Sequence, residues 1–304
     1  DHIPDPAIGV RRRREPVEAV TMATSVWLLI ALPLAGAAIL LLGGKAIADG
    51  TSRIHAGSHE VSPMNLLGTF APYMTVHKDS VVKIDDDIPF ETAAIMGCAV
   101  PTGFGSATNV AEVQPGETVI IVGVGGIGMS ALQGAVISGA KQVIAIDPNE
   151  WKRDQAIKFG ATHVYPSMAE AIAPVIDVTH GLMADKVIIA VGEMKGEYIE
   201  EAMILTAKTG TCVVTGMGSM MDADVKLNLF LFTMLQKTLK GNIFGGGSSH
   251  VETPRLAALY KSGLLNIDDM ITRTYKLEDI NTGYQDMLDG NNIRGVIRFD
   301  ESDW

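Results

Sequence analysis

Thr118-Val-Ile-Ile-Val-Gly-Val-Gly-Gly-Ile-Gly128 is the stretch whose reading decides the fold. Its first five residues form an almost wholly β-branched run, as suits a strand covered on both faces within a parallel sheet. The six that follow have the spacing G-x-G-x-x-G and lead directly into an apolar stretch that reads as a helix over 129–138. In this context each glycine has its own task. Gly123 permits the tight turn, Gly125 lets the backbone approach a diphosphate, and Gly128 lets helix and strand pack closely. Gly126 and Ile127 complete the turn, where free amides and the helix dipole favour an anion. About twenty residues on, Asp147 stands at the end of the next apolar run, where a carboxylate accepts hydrogen bonds from ribose hydroxyls. A 2′-phosphate would be repelled there, so NAD is favoured over NADP. Lys152, in the segment that follows, is placed to cover the same ribose from the other side.

Working outward, further apolar strands are predicted at 142–146, 186–191 and 211–215, separated by helix-length segments. Strand and helix alternating at this spacing predict a doubly wound α/β sheet of the Rossmann kind. Upstream, 68–77 and 80–84 alternate as half-buried antiparallel strands do, and Asp85-Asp-Asp-Ile-Pro89 marks a turn into a helix. No solenoid-type repeat interrupts this pattern.

Composition narrows the partners. With 304 residues and 47% apolar side chains the chain can build roughly two domains. A net charge of -11 leaves no general basic field for nucleic acid or anionic lipid, so a small molecule is the expected partner. Cys98 and Cys212 stand far apart, give no disulfide framework and fit a reducing, cytoplasmic compartment. Residues 11–14 are basic and 19–44 carry no charge at all. The apolar segment 26–42, with its flanks, approaches the ~20 residues of a membrane-spanning helix, and the upstream arginines would keep its N-terminus cytoplasmic. A signal peptide and a buried helix of a soluble protein remain the other readings of that segment.

Four stretches, in this order, carry a family likeness: Gly97-Cys-Ala-Val-Pro-Thr-Gly-Phe-Gly-Ser106, the glycine turn, Gly241-Asn-Ile-Phe-Gly-Gly-Gly247 and Asn292-Ile-Arg-Gly-Val-Ile297. Over about residues 43–304 the chain resembles the medium-chain, zinc-type alcohol dehydrogenases, most nearly the nitrosodimethylaniline-dependent, NAD-retaining branch of actinobacteria. Residues 20–43 resemble instead the first membrane helix of NADH-quinone oxidoreductase subunit L. The resemblance implies a Rossmann domain over 98–267, an incomplete GroES-like catalytic domain over 45–97 with a C-terminal return over 268–304, and a foreign-looking apolar segment over 1–44. It implies NAD and zinc as cofactors, and hydride transfer between an alcohol or aldehyde and bound NAD. Carried over by position, Cys98 becomes a ligand of the catalytic zinc and Thr102 a neighbour of the nicotinamide. Val191, Gly216, Ile243 and Phe244 line the cofactor, and Arg294 binds its pyrophosphate. A homodimer joined through the nucleotide-domain sheets is implied as well.

The sequence also departs from that pattern. The family's catalytic zinc takes a second cysteine, a histidine within Gly-His-Glu and the nearby glutamate, and its structural zinc takes four closely spaced cysteines. None of these stands in the sequence, which holds two cysteines in all. One thiolate cannot hold a tetrahedral zinc that needs three protein ligands and an open position, so weak or absent turnover is expected. His55 and His59 are four apart and followed by Glu60, but Ala56-Gly57-Ser58 opposes a helix and the pair reads as solvated loop. The apolar stretch 227–235 reads equally as a subunit contact or a buried core helix. Three functions stay open: an alcohol–aldehyde oxidoreductase, a non-catalytic NAD(H)-binding module tethered to a membrane through 26–42, and an assembly subunit of a membrane complex.

Overall fold

The computed structural model describes residues 54–56, 59–61, 70, 80–219, 221 and 223–300. Two short strands, β1 (Ile54–Ala56) and β2 (His59–Val61), pair antiparallel with His55 opposite Glu60. His55 and His59 therefore lie on strands, not in the expected loop, because Ala56 and His59 close a ladder across the two residues between them. Next come α1 (Phe90–Ile95), entered from Pro89 as predicted, and α2 (Ala99–Gly105), which runs on through a π-helical turn at Ser106–Val110.

Strand and helix then alternate: β3 (Thr118–Val122), α3 (Gly126–Ile137), β4 (Gln142–Ile146), α4 (Glu150–Lys158), β5 (His163–Tyr165), α5 (Met168–Val178), β6 (Ala184–Ile189), α6 (Gly196–Leu205) and β7 (Thr206–Val214). After these come α7 (Leu229–Met234), β8 (Thr238–Gly241), α8 (Ser249–Lys261), β9 (Ile271–Tyr275), α9 (Ile280–Leu288) and β10 (Arg294–Ile297). Strands β3 to β8 form one parallel sheet in the order β5-β4-β3-β6-β7-β8, while β9 and β10 pair parallel in a small sheet of their own. The order reverses beside β3, which is where a doubly wound sheet opens its ligand crevice, outside the carboxyl ends of the strands.

The β-branched run explains why β3 is central. All five of its residues are buried, with Ile121 facing Ala145 of β4 on one side and Ile188 of β6 on the other. Two apolar layers cover the sheet. One gathers Ile121, Met129, Leu132, Phe104 and Ile188; the other gathers Ile120, Ile144, Val187, Leu205 and Cys212. Local capping fixes the helix starts: Asn149 accepts from the Lys152 amide at the head of α4, and Ser167 from the Glu170 amide at the head of α5.

Several predicted boundaries shift for physical reasons. Helix α3 begins three residues before the predicted start, because Gly126 to Gly128 themselves take helical conformation. Strand β6 starts and ends two residues earlier than expected, and β7 reaches back to Thr206. Residues 81–84 form no strand: Val82 and Ile84 are buried on alternate positions as the pattern says, but no neighbouring chain forms a ladder with them among the described residues. Within 227–235 the helix α7 has no buried residue, with Leu229 69% and Phe230 70% exposed, so the buried-helix reading is corrected. Among the described residues no helix is long and apolar enough to cross a membrane; segment 26–42 and its likeness to subunit L lie outside the described residues.

Ile121 is fully enclosed between the sheet and α3, so Ile121→Ala is expected to lower unfolding free energy by about 2–5 kcal/mol, read by denaturant titration. Burial also pushes the Cys212 thiol from an ordinary 9.0 up to about 12. The unfolded chain then releases this proton before the folded chain does. The stabilisation is full below pH 9 and is lost as pH rises toward 12. Stability measured from pH 8 to 12 is expected to fall across that window, and to fall less steeply in Cys212→Ala.

Candidate functional site

The glycine turn sits at the carboxyl end of β3. Gly123 has φ +83, which a side chain would strain, and its amide donates to the Ile146 carbonyl of β4 at 2.7 Å. A Cβ on Gly128 would stand 1.8 Å from the Gly123 carbonyl oxygen, so helix and strand meet as closely as only glycine allows. Gly125 caps α3 without any side-chain hydrogen bond, and a Cβ there would meet nothing within 4 Å. The first amides of α3 have no intrahelical partner, as an anion cradle requires.

Asp147 follows β4 and is only 6% exposed. Its carboxylate accepts from the Val124 amide at 3.0 Å and from the Asn149 amide at 2.9 Å, binding the glycine turn to the start of α4. Arg153 donates to the Asp147 and Pro148 carbonyls, holding that corner from the helix side. Lys152 is half-buried in the first turn of α4, and its amine reaches toward Gly290 rather than standing free.

From the far end of the chain, Arg294 opens β10 and lies across the turn: a Cβ on Gly126 would stand 2.1 Å from Arg294 Nε. That Nε is buried with no partner. Burial pulls the guanidinium below its ordinary pKa, while the nearby Cys98 pushes it up. Glycine turn, Asp147 and Arg294 therefore converge, and an unpaired cationic N–H beside free helix amides fits a dinucleotide's phosphates.

The other predicted contacts line the ends of β6, β7 and β8. Val191 is half-buried, with its carbonyl 2.7 Å from where a Gly216 Cβ would lie. Ile243 is exposed, and Phe244 holds φ +55. Thr102, in α2, is 5% exposed and its Oγ1 has no partner. Cys98 is exposed at the head of α2. Sequence reasoning missed Asn149, Arg153 and the Ser106–Thr215–Asn242 cluster. Only Asn149 left a signal, as a capping residue directly after Asp147-Pro148.

Known proteins share this sequence and fold. A family profile described as zinc-binding dehydrogenase matches residues 126–262. Alcohol dehydrogenase B of Mycobacterium tuberculosis is 57% identical over 263 residues, spanning 86% of this chain and 70% of that protein. The chain belongs to the medium-chain, zinc-type alcohol dehydrogenase family. The NDMA-dependent alcohol dehydrogenase of Amycolatopsis methanolica is 43% identical over 260 residues, again 86% of this chain and 70% of the relative. The crystal structure of benzyl alcohol dehydrogenase from Acinetobacter calcoaceticus superposes with a TM-score of 0.70 at 26% identity. That match covers 74% of this chain, which spans 61% of the benzyl alcohol dehydrogenase chain.

The family's zinc meets a different result. Among the described residues no group of three or more His, Cys, Asp or Glu could hold a metal ion. Cys98 offers one thiolate where a catalytic zinc takes three protein ligands. The donors among the described residues therefore do not fit the metal, whereas the residues of the glycine turn fit the dinucleotide.

The second and third glycines of the motif, Gly125 and Gly128, separate binding from folding. Gly125→Ala, directed into open space, is expected to keep the wild-type unfolding midpoint while weakening dinucleotide binding at least ten-fold in calorimetric titration. Gly128→Ala is expected to lose binding and also about 1–3 kcal/mol of stability, since backbone must shift to admit its methyl group.

Proposed function

We propose that this chain binds NAD(H) at the glycine turn, as the nucleotide half of an oxidoreductase acting between an alcohol and an aldehyde. The observation that carries the reading is the buried Asp147 carboxylate, fixed by the Val124 and Asn149 amides at the lip of a turn that Arg294 overlies. The diphosphate would lie on the first amides of α3 with the Arg294 guanidinium against it. The adenosine ribose would hydrogen-bond to Asp147, whose charge disfavours a 2′-phosphate. The nicotinamide would reach the ends of β6, β7 and β8 beside Thr102, Val191, Gly216, Ile243 and Phe244. Relatives named as alcohol dehydrogenases supply the substrate class.

Turnover in this chain is a separate matter. The single thiolate of Cys98 favours a second reading, an NAD(H)-binding module with little or no dehydrogenase activity. The exposed α7 and the open edge at β8 favour a homodimer formed through the nucleotide-binding sheet, as the apolar side chains of Leu229, Phe230 and Met234 stand free there.

Titration calorimetry distinguishes these points. NAD and NADH are expected to bind, NADP at least ten-fold more weakly, and Asp147→Ala to narrow that gap by removing the charge that repels a 2′-phosphate. Absence of heat with every coenzyme, from protein that carries none on purification, overturns the proposal. One zinc per chain together with alcohol-dependent NADH formation decides for the catalytic reading over the binding module.

A further inference from the structure

Helix α9 is amphipathic, and its apolar side is left largely uncovered. Ile280, Tyr284, Met287 and Leu288 stand at i, i+4, i+7 and i+8, the spacing of one helix face. Such a face normally lies on a core, yet α9 has no buried residue, and Tyr284, Met287 and Leu288 are 47%, 51% and 75% exposed. Between α9 and the β9–β10 pair lies a cavity of about 140 Å³, lined by Tyr275, Ile280, Tyr284, Met287 and Ile297, with Phe70 joining them from the upstream part of the chain. That room is smaller than the roughly 300–1,000 Å³ of a small-molecule site and suits one or two side chains of an incoming segment. Asp286 is the only charged residue of α9, and it is already held by the Tyr275 hydroxyl at 2.7 Å and by Arg273 at 3.3 Å. The helix therefore offers its visitor apolar contact, not charge.

The chain carries a segment of matching chemistry. Residues 26–42 are uncharged and apolar throughout, and they lie outside the described residues. Phe70 already stands in the cavity wall, so only residues 43–69, which include the β1–β2 hairpin, separate the segment from the groove. A tether of that length holds the segment at an effective concentration on the order of millimolar, well above that of a second copy in dilute solution. Charge agrees with this choice. Exposed Glu278 and Asp279 precede the first turn of α9 and exposed Asp289 follows its last, while Arg11 to Arg14 stand shortly upstream of the apolar segment. An apolar stretch seated on the α9 face would bring that basic run within reach of the acidic rim.

We propose that residues 26–42 dock on the apolar face of α9 within the same chain and fill the cavity between α9 and the β9–β10 pair. Docking there gives the apolar segment a partner inside the protein and covers a helix that has none among the described residues. The inference is independent of whether the glycine turn binds a dinucleotide.

The test places the photo-crosslinking residue p-benzoylphenylalanine in the full chain, either at Tyr284 on the apolar face or at Thr282 on the opposite side of α9. Adducts are mapped by mass spectrometry, in mixtures of isotope-labelled and unlabelled chains and with phosphatidylcholine vesicles present or absent. From Tyr284 the adducts are expected to fall within residues 26–42 of the same chain, vesicles or not, at a yield at least about ten-fold above that from Thr282. Met287→Glu, which sets a carboxylate in the contact, is expected to cut the Tyr284 yield at least about ten-fold. Met287→Leu is expected to keep it, which separates a lost contact from a variant that fails to fold. Adducts joining labelled to unlabelled chains make the occupant a second copy and overturn the proposal. Adducts to lipid, equal yields from Tyr284 and Thr282, or none within residues 26–42 overturn it as well.

Discussion

Between Gly123 and Gly128 the chain doubles back so tightly that a single methyl group on Gly128 would strike the Gly123 carbonyl oxygen at 1.8 Å. That contact fixes how far α3 starts from the end of β3, and the rest of the site is built on that distance. The Gly123 amide is committed to Ile146 at the end of β4, and the Val124 amide to the Asp147 carboxylate one residue later. Turn, neighbouring strand and acidic side chain are therefore one hydrogen-bonded unit. A change in any of them moves the others, because each N–H has a single assigned acceptor and the core beneath, Ile121 against Met129 and Leu132, is close-packed.

Segments distant in sequence complete this unit by packing against it. Helix α2 lies so close to α3 that a Cβ on Gly103 would stand 1.9 Å from the Ile127 carbonyl. This brings Cys98, Thr102 and Ser106 to the same end of the sheet as the glycine turn. Strand β10 contributes Arg294 from the last part of the described chain. The crevice is thus lined from three directions, by the strand ends, by α2 and by β10, with the strand order reversing beneath it.

The central features were legible in the sequence because they rest on local physics. A β-branched run bounded by glycine can do little else than form β3, and its predicted limits coincide with the observed strand, as do those of β4. Asp147 followed from its distance to the turn, a spacing set by one helix and one strand. Strands β5 and β8 carried no such signal: they have three and four residues with half-exposed or exposed side chains, too short for a period to show. Residues 80–84 misled for a related reason, since alternate burial of Val82 and Ile84 needs only a surface to lie on, not a partner strand. Arg294 was reached by family likeness alone. The Asn242–Ser106 bond joins residues 136 apart, and no spacing rule reaches so far.

Arg294 ties the two halves of the site together and shows why they are unequal. Its guanidinium is partly withdrawn from water, with Nε unpaired, and burial weakens its hold on its proton while Cys98 strengthens it. A cation in that position gains from any anion that reaches it. A dinucleotide diphosphate would meet Arg294 and the amides of α3 together, and because Gly126 has no side chain the guanidinium lies directly over the helix start, where the dipole already favours negative charge. These attractions act on one ligand and reinforce each other. The Cys98 sulfur lies near the same cation with no further metal donors gathered around it among the described residues. The groups that recognise phosphate therefore cooperate in this chain, while the group that would hold a metal stands beside them without the company a metal needs.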